Sequence, residues 1–128
     1  MKDLEKKIKK YLVDRTWDNL RPGDLAKSVA IEAGELLEIF QWDNPELHDF
    51  KKNKDRVAAM KKELADVLIY CIDIAVLLDI DTEKIILEKL AQIEKKYPAE
   101  IFKTEKGKEQ GTQDIYWRIK KEHRRKAQ

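Results

Sequence analysis

Four carboxylates stand out by type and spacing. Glu32 and Glu35 lie one helical turn apart, and Glu63 and Asp66 repeat that interval further along. On a wheel at about 100° per residue, Glu63, Asp66, Tyr70 and Asp73 fall on one narrow stripe. Around the rest of that segment run Leu64, Val67, Leu68, Cys71, Ile72, Ala75 and Val76. A helix apolar nearly all round is expected to be buried, and its acids with it. Glu32, Glu35 and Glu38 likewise sit in an apolar segment, with Val29, Ala33, Leu36 and Phe40 as its core face. Burying one unpaired carboxylate costs several kcal/mol. A cluster of them is tolerable only with compensating cations, and no lysine follows Lys62 in the apolar run up to Leu78. The chemistry expected is therefore capture of a hard divalent cation, Mg²⁺ or Mn²⁺, by Glu32, Glu35, Glu63 and Asp66. Asp73 is either a further ligand or the partner of a lysine across an interface. The bland reading of each Glu-x-x-Glu, a solvated helix face, is outweighed only because both pairs lie in apolar surroundings.

Composition narrows the field. The single Cys71 excludes an intramolecular disulfide and multi-thiolate zinc sites. The two histidines, His48 and His123, do not complete the Glu-x-x-His pairs of a di-iron bundle. With 27 basic and 25 acidic residues the net charge is +2, which argues against a chain built to coat nucleic acid or a membrane. No targeting segment is visible, and the greasiest stretch, Val67 to Leu78, is too short to span a bilayer. A soluble, cytoplasmic protein is expected.

The elements that must position the acids are helical. A first helix is expected to run to about Asp14, followed by a connection from Trp17 to Asp24. A second helix runs from about Leu25 to Trp42, and a short one covers Pro45 to Lys51. A long third helix starts at Asn53 or Asp55 and ends near Asp79. A fourth, capped by Asp81, stops at Pro98. Residues 103–128 hold nine basic and four acidic side chains, a net +5 against −3 for the rest. The expected architecture is all-α: a bundle of four main helices over residues 1–102 with a basic C-terminal arm over 103–128.

At Glu32-Ala-Gly-Glu35-Leu-Leu-Glu38-Ile-Phe-Gln-Trp42, followed after Glu35 by 27 residues and then Glu63-Leu-Ala-Asp66-Val-Leu-Ile-Tyr70, the chain resembles the MazG-like, all-α nucleoside triphosphate pyrophosphohydrolases. The resemblance spans Trp17 to Pro98 and is nearest to the short dCTP-pyrophosphatase-like members. It implies Mg²⁺-dependent hydrolysis of a nucleoside triphosphate, a deoxynucleotide such as dCTP, to the monophosphate and pyrophosphate. It also implies sites completed in a homodimer or homotetramer, with Trp17, Trp42 and Tyr70 lining a base pocket. For the reaction itself, Glu35 or Glu38 is a candidate to orient the attacking water instead of serving as a ligand, and Lys62, Lys89 and Lys96 are candidate phosphate contacts. Where such proteins carry Lys-x-x-x-Asn before the Tyr-Pro, this chain has Lys89 and then Ile93. The competing readings are a non-catalytic, oligomeric nucleotide-binding scaffold and a nucleic-acid contact through the basic arm. Release of pyrophosphate separates the first from an enzyme, and salt-dependent binding lost with residues 112–128 would mark the second.

Overall fold

The computed structural model describes residues 1–127, leaving aside the side chains of residues 105–107. Every regular element among the described residues is a helix: α1 (Lys2–Asp14), α2 (Pro22–Glu38), α3 (Leu47–Lys52), α4 (Lys54–Leu77), α5 (Thr82–Lys96), α6 (Ala99–Lys103), α7 (Glu105–Gln110) and α8 (Thr112–Lys126). The chain divides into two compact units, Met1–Thr82 and Glu83–Gln128. The all-α expectation is met, although the fourth long helix, α5, belongs to the second unit. The boundary expected at residue 102 lies inside that unit. No helix among the described residues is long and apolar enough to cross a membrane.

In the first unit α4 is the central rod, with α2, α1 and the short α3 packed against it. Ile8 and Leu12 of α1 meet Ile72 and Val76 of α4 in a buried cluster. Their i, i+4 spacing on both helices puts each pair on one face. Asn53 caps α4, its Oδ1 accepting from the Arg56 N–H at 3.1 Å. Pro22 opens α2, where its missing N–H costs nothing.

Both α1 and α4 end in Schellman motifs built without glycine. After α1, the Trp17 N–H reaches the Leu12 carbonyl at 2.9 Å and the Thr16 N–H reaches that of Val13. After α4, the Ile80 N–H reaches the Ala75 carbonyl at 2.8 Å. The turning residues are Thr16 (φ 58°) and Asp79 (φ 53°). A β-branched residue is strained there, by about 1–2 kcal/mol. Thr16→Gly is therefore expected to raise unfolding stability by about 1 kcal/mol, read from the denaturant midpoint at unchanged m. An unchanged or lowered midpoint would show that Thr16 carries no strain.

The second helix stops four residues short of Trp42. Phe40 and Gln41 donate back three residues, to Leu37 and Glu38, and the helix unwinds. The Arg56 guanidinium holds the unwound chain, reaching Asp43 through two contacts of 2.6 and 2.8 Å and the Ile39 carbonyl at 2.7 Å. It also lies over the rings of Phe40 and Phe50, which are themselves 5.3 Å apart. That hydrogen-bonded guanidinium keeps the Asp43 carboxyl below its ordinary pKa. Trp42 is consequently on a loop and 89% exposed. The short helix starts at Leu47, two residues after the proline expected to open it.

The expectation that the third predicted helix is buried all round is not met within one chain. Ile72, Asp73, Ala75 and Val76 of α4 are buried, while Leu64, Leu68 and Ile69 are exposed. Helices α1, α2 and α3 pack against α4 but leave these side chains uncovered. In the second unit, α8 buries Ile115 and Ile119, and Tyr116 stacks on Tyr97 at 5.1 Å. The arm thus contains a long helix.

A candidate metal centre beside an aromatic cleft

Glu32 of α2 and Glu63 and Asp66 of α4 come together. Each offers one carboxylate oxygen, and the three atoms lie within 4.8 Å of one another. All three residues are half-buried. The local cause is simple: Glu63 and Asp66 share a face of α4 because they are three residues apart, and the α2–α4 packing brings Glu32 against them. Glu35, one turn further along α2, is exposed and is not part of this trio, and Glu38 is exposed as well.

The donor set fits a hard divalent cation. It is made only of carboxylate oxygens, two helices fix it, and the Glu63 Oε2 atom is buried without a hydrogen-bond partner. The nearby cation is weak compensation: Lys62 Nζ stands 3.7 Å from Glu63 Oε1 on a side chain that is 76% exposed. A buried anionic oxygen without a donor is costly unless a cation supplies the missing interaction.

Beside the acids lies a cleft of about 650 Å³, a size suited to a small organic ligand. Tyr11, Trp17, Asp66, Tyr70 and Asp73 are among its walls. The Schellman turn after α1 presents Trp17, whose ring meets Tyr11 edge-on at 5.9 Å. Arg15 sits 3.9 Å over the other partner, Tyr11. Asp73 is only 3% exposed, its Oδ1 has no hydrogen-bond partner, and burial raises its pKa. A carboxyl raised in this way lends stability below its unfolded pKa and loses it as pH rises through the folded one.

The sequence-predicted residues thus fall into three groups. Glu32, Glu63, Asp66, Trp17 and Tyr70 share one neighbourhood of the first unit. Glu35, Glu38 and Trp42 stand exposed. Lys89 and Lys96 line a cleft of about 1,000 Å³ within the second unit, together with Tyr97, Tyr116 and Lys120. Sequence reasoning missed Tyr11 as a wall of the aromatic cleft. Its only signal was an aromatic on the apolar face of the first helix, a position that reads as ordinary core.

Residues 27–114 match the model of the MazG-like family. The chain belongs to that family. Among solved structures, this MazG-like chain is similar to a pyrophosphatase from Archaeoglobus fulgidus. The two are 33% identical, with a TM-score of 0.67 over 77% of this chain and 92% of the other. Among curated relatives it is similar to dCTP pyrophosphatase 1 of Rattus norvegicus, 29% identical over 104 residues, 79% of this chain and 61% of that protein. The same protein of Homo sapiens is 29% identical over 107 residues, 81% of this chain and 62% of the relative. The match therefore covers about three-fifths of the curated relatives' length.

Proposed function

We propose that this MazG-like chain hydrolyses a nucleoside triphosphate, with a deoxynucleotide of the dCTP kind as substrate, to the monophosphate and pyrophosphate. The observation that carries the reading is the convergence of Glu32, Glu63 and Asp66 beside the cleft walled by Trp17 and Tyr70. The names of the similar proteins point the same way.

Glu32, Glu63 and Asp66 would hold Mg²⁺, with Mn²⁺ as a substitute. Held there, such a cation would supply positive charge that offsets the negative charge of the triphosphate. The chain's own residues supply the rest. Trp17 and Tyr70 hold the base by stacking, a contact worth about 1–3 kcal/mol per base. Glu35, an exposed carboxylate one turn from Glu32, takes the proton of a water attacking the α-phosphorus, with Glu38 the other base candidate. The new P–O bond forms in line as the bond from the α-phosphorus to the bridging oxygen breaks, and pyrophosphate leaves. The proposal includes assembly into a homodimer or homotetramer. Its support is the exposure of Leu64 and Leu68 on α4, of Ile85, Ile86 and Leu90 on α5, and of Trp42.

The test is a panel of nucleoside triphosphates with Mg²⁺ in ¹⁸O-water, using protein whose solution mass is measured by light scattering. Pyrophosphate, a monophosphate carrying the label and a mass of two or four times 15.1 kDa are expected. Nucleoside diphosphate with labelled inorganic phosphate would move the attack to the γ-phosphorus and overturn the mechanism. No product from any nucleotide would favour the binding scaffold.

A further inference from the structure

Asp73 makes little sense as a structural residue. The residue is 97% removed from solvent, yet its buried Oδ1 finds no donor, and no Lys or Arg among the described residues is paired with it. Buried carboxyl oxygens are ordinarily hydrogen-bonded, and an orphan calls for a specific reason. The side chain lines the aromatic cleft and shares the α4 stripe with Tyr70, one turn back, and Asp66, two turns back. Seven residues of helix separate it from Asp66 by about 10 Å. That is the length of one nucleotide, with phosphates at the Asp66 end and the base at the Asp73 end. Ile8, Leu12, Leu25 and Ile69 wall the same cleft and cannot hydrogen-bond a base edge. The remaining charged side chains on its walls are Lys7 and Asp24.

We propose that Asp73 reads the nucleobase: its unpartnered oxygen accepts a hydrogen bond from an exocyclic amino group, so that the cleft selects amino-bearing bases over their oxo counterparts. Above its raised pKa the carboxylate only accepts, so a carbonyl in the amino position would meet it oxygen to oxygen. The selection is one of mismatch as much as of attraction, since the wrong base leaves two buried acceptors facing each other. The inference rests on the nucleotide reading above and assigns the residue that sets its base preference.

Cytosine and uracil form the test pair, differing in amino against oxo at one ring position and in the adjacent ring nitrogen, an acceptor in cytosine and an N–H in uracil. Binding of dCMP and dUMP is measured by calorimetry at pH 8 with Mg²⁺. The wild-type protein is expected to bind dCMP about ten- to hundredfold more tightly, the range of one charge-assisted hydrogen bond. In Asp73→Asn the amide offers an N–H as well as an oxygen, and the ratio is expected to fall towards one through tighter dUMP binding. Equal affinities in the wild type, or an unchanged ratio in the variant, overturn the proposal. Equal wild-type affinities overturn the proposal without any variant, and Asp73→Ser, a smaller second substitution expected to reduce the ratio as well, supplies the variant arm where Asp73→Asn does not fold. Because monophosphates are not turned over, the outcome is separate from the hydrolase reading. Pyrophosphate release without a dCMP preference sinks only the role of Asp73, and a dCMP preference without any hydrolysis sinks only the hydrolase.

Discussion

Replacing Glu63 by Gln is expected to lower turnover of the best triphosphate substrate by about 10³-fold while leaving the helical circular dichroism unchanged. The size follows from what the carboxylate faces. Glu63 shares the trio with Glu32 and Asp66, and its buried Oε2 has no partner in the chain. Electrostatic groups preorganised at a reacting phosphate have large effects, and losing one neutral donor in comparable sites already costs about 10²–10³-fold. The amide keeps the volume and removes the charge, so the fold is spared. Without the cation, the variant is expected to be no less stable than wild type, because a half-buried anion has been removed. Full activity in Glu63→Gln would take this carboxylate out of the mechanism. Glu35→Gln provides a contrast. It too should lose nearly all turnover, but since Glu35 stands outside the trio, cation binding should persist.

The second large effect is on stability. Mg²⁺ at about 100 times its dissociation constant should stabilise the folded protein by about 2.7 kcal/mol, because it binds the folded state and not the unfolded one. For a chain of this size that corresponds to a rise of about 10 °C in the melting temperature. The rise should saturate with Mg²⁺, reverse with chelator, and vanish in Glu32→Gln and Glu63→Gln. A melting temperature indifferent to divalent cations, or an equal rise in the variants, would show that the trio holds no metal. This measurement does not depend on catalysis, so it tests the site even if the substrate is wrongly chosen.

Much of the molecule is readable along the chain because its determinants are local. The spacing of Ile8 and Leu12, the Asn53 cap and the stop at Pro98 each depend on residues within a turn or two. Glu63 and Asp66 share a face for the same reason, as a three-residue step on a helix leaves little choice. The end of the second helix was different. Phe40, Gln41 and Trp42 continue its apolar pattern, and only Arg56, arriving from α4, holds the chain in its unwound form.

The sequence by itself determined the helical class, most of the long helices up to Pro98, the family and the acid pairs. Tertiary structure alone decided which acids meet. Two helices crossing at one place can bring together only the side chains nearest that crossing, so Glu32 joins Glu63 and Asp66 while Glu35, turned away by one step of the helix, remains exposed. The orphaned oxygen of Asp73 was equally invisible. Its position on the stripe follows from counting, but the lack of any donor depends on what α1 and α2 place around it, and that is a property of packing between distant segments.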